Sequence, residues 1–366
     1  MADLRFEGDV EPWLRKLPHD KSTAFVLRNA LRILPNIFHF HRDEPEDMGA
    51  AVFLLAHLRV AITGCAVIDS NENHQLLRQS LRSAIRNTQN SASSMFGNQV
   101  TASLKTACED ILGEDDDASI AFEAYVSAQD AVISDPRKNA DFISARDRDA
   151  ELLEEDKAEF CFESALWANG STNSFLDNWV SFHEGAQPSP WGFWIEWYEG
   201  LVTGKHLHHD LNQRVARIKD PIWEAGCDAV AEEIDKERVV FGVQRIIEDL
   251  KRDFVALRQQ NRHGIGGNNP PESERLDEVA REQTITWATI DEVDRQTRLE
   301  KPNKSVILSL LEALKTSWQR CVNLSAYMVA AGATAGAALV VEGYFARYPE
   351  KLDALINAIE KWIPLL

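Results

Sequence analysis

Three sets of residues stand out in this chain as candidate metal ligands, ligand contacts or association surfaces. The first is Lys205-His206-Leu207-His208-His209-Asp210. Imidazole is a common metal ligand. A zinc site, however, normally draws its ligands from two separated elements, with spacings such as HExxH or CxxC. These histidines are nearly contiguous, between Gly204 and an Asp210 suited to cap a helix. The stretch reads as a polar loop between helices, and neither a metal nor a cofactor is expected.

The second set lies in 191–205, WGFWIEWYEGLVTGK. Trp194, Trp197, Tyr198 and Leu201 stand at i, i+3, i+4 and i+7, which is one helix face. The preferred reading is a core helix that staples its domain together. The alternative is an aromatic ligand pocket formed by Trp194, Trp197 and Tyr198, with Glu196 and Glu199 as polar handles. The third set is Gly332 and Gly336, a GxxxG spacing that lets helix backbones approach closely. Ser325 and Val329 extend the same side, so these four residues form a candidate self-association face.

Covalent catalysis has no signature here. There is no GxSxG. The glycines of HGIGGNNPPE (263–272) follow a helical pattern rather than a strand, so they make neither a dinucleotide nor a phosphate loop. The expectation leans away from an enzyme. Cys65, Cys108, Cys161, Cys227 and Cys321 are odd in number and widely spaced, so they suggest neither a disulfide framework nor a CxxC site. The net charge of −19 argues against sequence-independent nucleic-acid binding, although it leaves room for a local basic patch. The acidic run at 113–117 lacks the alternating oxygen ligands of an EF-hand and reads as a solvated loop.

Helical segments carry or flank all three sets. In 22–34, Ala24, Leu27, Leu31 and Leu34 form one stripe, with Ser22 or Thr23 as cap and Pro35 as stop. Residues 48–68 are long and apolar enough to suggest a membrane span. Arg59 sits in the middle, where it would cost about 2.5–3.5 kcal/mol in a bilayer, so a buried bundle helix is preferred. Helical patterns continue to about residue 258, with Gly226 and Gly242 as weak points. Sustained period-2 alternation is missing, so the predicted fold class is all-α.

Residues 259–275 hold the glycines, asparagines and Pro270-Pro271 of a hinge. The expected organisation is a multi-helix body (1–258), this hinge, and a C-terminal helical hairpin module (276–366). In the module, 321–341 carries no charge over 21 positions. It is long enough to span a bilayer, but marginal in composition. Residues 352–366 are amphipathic through Leu352, Leu355, Ile356 and Ile359.

ALRILP (30–35), WxxWYEGLVTGK (194–205), PIWEAG (221–226) and HGIGGNNPPE (263–272) together resemble a set of uncharacterised bacterial helical proteins. That group has a Trp-rich body, a Gly-Asn-Pro-Pro linker and an apolar Ala/Gly-rich C-terminus. The resemblance implies this architecture and carries no activity, so it assigns no functional residue.

The function expected from these features is a non-enzymatic interaction or effector protein. A helical recognition body would meet an unknown protein partner. The C-terminal module would form a homo-oligomer as a soluble helical hairpin, with membrane contact through 321–366 as the alternative. Bacterial defence effectors offer an analogy for the layout. The alternatives are a soluble scaffold that oligomerises through its C-terminus, and an enzyme or ligand-binding protein using the Trp-lined pocket. The charged N-terminus has no apolar leader, so cytoplasmic residence is expected.

Overall fold

A computed structural model describes residues 7–38, 48–69, 74–91, 98–113, 118–154, 164–167, 176–185, 190–261, 273–330 and 349–366. The acidic stretch 114–117, the hinge core 262–272, and Gly332 and Gly336 lie outside the described residues. So do the side chains of Ser325 and Val329. Among the described residues every regular element is a helix, and the fold is all-α.

Contacts divide the chain into two units, Met1–Ile234 and Asp235–Leu366. The first contains α1 (Glu7–Leu14), α2 (His19–Ile33), α3 (Met48–Ile68), α4 (His74–Ser91), α5 (Asn98–Leu112), α6 (Ala118–Asp130) and α7 (Pro136–Glu154). It continues with α8 (Leu176–Gly185), α9 (Gly192–Thr203), α10 (His209–Ala216) and α11 (Asp220–Glu224). The long α12 (Cys227–Asn261) starts in this unit and ends in the next.

Two helices organise the first unit. α2 packs against α3, α5, α6 and α7, and every residue from Ser22 to Ile33 is buried. It starts at His19, behind Pro18, three residues before the expected caps. Ser22 and Thr23 donate their hydroxyls back to the His19 carbonyl, so they sit inside the first turn and do not cap it. Past Ile33 the chain tightens into a 3₁₀ turn, Leu34–Ile37, which accommodates Pro35.

The second organising helix is α3, which packs on α2, α4, α5 and α10. Its length and composition would suit a membrane crossing, but 78% of its apolar window is buried inside the fold. Its polar residues have partners in the protein. His57 Nδ1 donates to the Phe53 carbonyl (2.7 Å), which leaves Nε2 to accept from the Thr101 hydroxyl (2.7 Å). Thr63 donates to the Arg59 carbonyl (2.7 Å), and Arg59 pairs with Asp220. Such pairing is what allows polar groups to be buried at all.

In the second unit, the end of α12 joins α13 (Ser273–Thr297), α14 (Lys304–Ala330) and α15 (Pro349–Trp362). Val243, Ile247 and Leu250 pack with Ile290, Val293, Ile307, Leu311, Leu314, Leu355 and Ile359 in one core. Gln244 donates to the Thr297 hydroxyl (2.8 Å), and Lys251 bridges Asp291 (2.9 Å) and Asp294 (2.8 Å). The sequence reading divides the chain at 259–275, whereas the contacts divide it inside α12. The physical reason is the stripe of Val243, Ile247 and Leu250, at i, i+4 and i+7, which is buried against the helices that follow.

Candidate functional site

The Trp helix is held by a buried polar network. Asp149 of α7 accepts from Arg28 Nε (3.0 Å) and from Arg32 of α2. The same arginines reach the segment 164–167. Arg28 donates to the Ala165 carbonyl (2.9 Å) and Arg32 to the Leu166 carbonyl (2.9 Å). The Leu166 amide then donates to the Leu201 carbonyl of α9 (2.9 Å). Tyr198 closes the circuit by donating its hydroxyl to the Leu31 carbonyl (3.1 Å), and burial pushes its phenol well above the ordinary range.

This geometry places the sequence-selected residues differently from one another. Trp194 and Trp197 are each 1% exposed and meet edge to face at 6.1 Å. Trp194 also packs on Trp223, and Tyr198 is buried with them. Glu196 and Glu199 are exposed. The structure therefore brings Trp194, Trp197 and Tyr198 together and leaves Glu196 apart from them. Of the three, Trp197 also borders a small cavity lined by His206, His208 and His209. His208 Nδ1 accepts the Asp210 amide (3.3 Å), so His208 rather than Asp210 caps α10.

A wider groove, about 990 Å³ in volume, opens elsewhere on the first unit. One wall is α4, whose Leu77, Leu81, Ala84 and Ile85 are buried. That packing turns Gln79, Arg82 and Arg86 outward at i, i+3 and i+7. The end of α5 contributes Glu109 and Leu112. The short connection from α10 to α11 contributes Arg217, Lys219 and Asp220. Pro221 sits in the first turn of α11 and sets where that helix begins.

The groove's carboxylates are engaged. Asp220 accepts from Ser83 (2.7 Å) and from Arg59, which is buried beneath it. Partial burial pushes the Asp220 carboxyl up, but those two hydrogen bonds, with the charges of Arg59 and Arg86, hold it below its usual range. Arg59 lies 4.9 Å over the Trp223 ring, and its Nε and Nη1 are buried without a hydrogen bond. Burial lowers its basicity, and the Asp220 hydrogen bond opposes that fall. Glu109 lies 3.5 Å from Lys105.

Comparison with protein families, curated proteins and solved structures finds no match to this chain. The site is therefore read from its own geometry. Positive charge from Arg82, Arg86, Arg217 and Lys219 exceeds the negative charge on the same walls. Arginine forks match the geometry of phosphate and carboxylate oxygens. The arrangement suits holding an anion. The sequence carries only a faint sign of it, Arg82 and Arg86 four apart on a helix. The other contributors lie more than 100 residues further along, in a stretch with no local pattern.

Proposed function

We propose that the first unit is a recognition unit for a small, multiply charged anion of the phosphate-bearing kind, and that the protein acts by binding rather than catalysis. The observation that carries this reading is the convergence of Arg82, Arg86, Arg217 and Lys219 on one groove of a chain whose net charge is −19. A random patch of so acidic a protein would repel such a ligand. The groove's volume lies at the upper end of the usual range for small-molecule sites, roughly 300–1,000 Å³.

In this reading the C-terminal residues 321–366 supply assembly. Their support is the uncharged run 321–341 with its GxxxG spacing. The protein is then an interaction or effector protein, a receiving unit linked along one chain to a self-associating one.

Isothermal titration calorimetry with ATP and pyrophosphate, with citrate as the phosphate-free anion, tests the recognition step. ATP or pyrophosphate should bind and citrate should bind more weakly. Raising the salt should weaken binding, because the contacts are exposed charges. Replacing Arg82 and Arg86 together with Ala should weaken it by at least about tenfold, since each charge-assisted contact is worth about 1.5 kcal/mol or more. Glu109→Gln should tighten it. Heat signals absent for all three anions, or affinities untouched by the double substitution, would overturn the assignment.

A further inference from the structure

The groove between α4, α5 and the α10–α11 connection changes character along its length. Leu76, Gln79, Ser83 and Arg86 stand at i, i+3, i+7 and i+10, so one face of α4 lines it from end to end. At about 1.5 Å of rise per residue, Leu76 and Arg86 are separated by roughly 15 Å along the helix.

Hydrogen bonds fix what meets α4 toward each end. Arg78 donates to the Leu112 carbonyl (2.6 Å), which holds the end of α5 against the first turns of α4. Leu76 and Leu112 are thereby placed toward the same end of the groove. Leu76 is 54% exposed, and Leu112 is partly exposed. Further along, Ser83 donates to Asp220 (2.7 Å), which holds the α10–α11 connection against the third turn of α4. Lys219 is thereby placed beside the turns that carry Arg82 and Arg86. Arg59 pairs with Asp220 from beneath, so the Asp220 carboxylate is matched by a buried cation and does not cancel these three charges. Gln79 and Ser80, neutral and able to hydrogen-bond, line the stretch between the two ends.

Building on the anion site above, we propose that the ligand of this groove is a nucleotide. Its phosphates meet Arg82, Arg86 and Lys219, its sugar lies along Gln79 and Ser80, and its base covers Leu76 and Leu112. The other phosphate-bearing classes fit less of the groove. Inorganic phosphate or pyrophosphate would occupy a small part of about 990 Å³ and leave Leu76 in water. A sugar phosphate has no apolar face to offer the leucines. An acyl phosphate would cover Gln79 and Ser80 with hydrocarbon, at the cost of their hydration. A nucleotide carries charge, polarity and apolar surface in the order in which the groove presents them.

Calorimetry on the full chain with ATP and with tripolyphosphate separates the nucleoside from the charge, because the two share a phosphate chain of the same length. ATP should bind at least about tenfold more tightly than tripolyphosphate, from the apolar area its base covers. Leu76→Ala should weaken ATP by about fivefold and leave tripolyphosphate unchanged. Ile133→Ala, at an exposed hydrophobic residue elsewhere in the unit, should leave the ATP affinity unchanged. Equal affinities for ATP and tripolyphosphate, or an ATP affinity untouched by Leu76→Ala, would overturn the nucleotide while the anion site stands. Dodecyl phosphate binding more tightly than ATP would overturn it in favour of an acyl body. If neither ATP nor tripolyphosphate binds, the anion site itself falls, and the nucleotide with it.

Discussion

His57 shows what burial does to a single side chain. It is fully buried on α3, and burial pulls its pKa down to about 4, although the hydrogen bond to the Phe53 carbonyl works the other way. The folded value lies below the ordinary 6.5. Between those values the unfolded chain takes up a proton that the native state refuses. Stability from this residue is therefore complete above about pH 6.5 and is lost as the pH falls toward 4. At pH 5 the loss should be about 2 kcal/mol, from 1.36 kcal/mol per pKa unit. His206 is also held down to about 4, chiefly by burial and then by the Arg28 charge, and adds in the same direction. Urea denaturation at pH 7.5 and pH 5 measures the difference, and His57→Gln should shrink it. An identical pH response in the variant would mean that His57 is not the group responsible.

At the scale of elements, glycines of one composition have opposite roles. Gly226 and Gly242 both read as weak points in the sequence. Gly226 adopts φ +101° and ends α11 before α12 begins, a conformation that side-chain-bearing residues rarely take. Gly242 lies inside α12, and a Cβ there would meet no atom within 4 Å. Gly242→Ala should therefore stabilise the protein by about 0.5–1 kcal/mol, the helix preference of Ala over Gly. Gly204 leaves α9 at φ +73°, so Gly204→Ala should destabilise the protein by about 1–2 kcal/mol from the left-handed conformation alone. Its new Cβ would also press on the Ala165 amide at 2.9 Å. Thermal melts of the two variants should move in opposite directions. A Gly242→Ala melt below that of the unsubstituted chain would show that α12 does not behave as one continuous helix there.

At the scale of the whole molecule, the self-association proposed for the C-terminus predicts that Gly332→Leu with Gly336→Leu lowers the sedimenting mass. Ala338→Leu, off that face by helical spacing, should have less effect. Unchanged mass in the double variant would remove this face as the assembly surface. The all-α class, the extent of α3 and the apolar stripe of α15 were legible in the amino-acid order alone. Helical periodicity is a local property, written every 3.6 residues whatever the helix later meets. It also determined that Trp194, Trp197 and Tyr198 share a face. Tertiary structure decided the rest. Whether Arg59 in an apolar helix marks membrane or core depended on Asp220, 161 positions away. The groove required the buried side of α4 to turn Arg82 and Arg86 toward Arg217 and Lys219. The small cavity beside Trp197 required α3 to pack on α10, so that Cys65 and Asp69 line it with the histidines. These meetings depend on which helix faces bury against each other, and spacing along the chain carries no record of that choice.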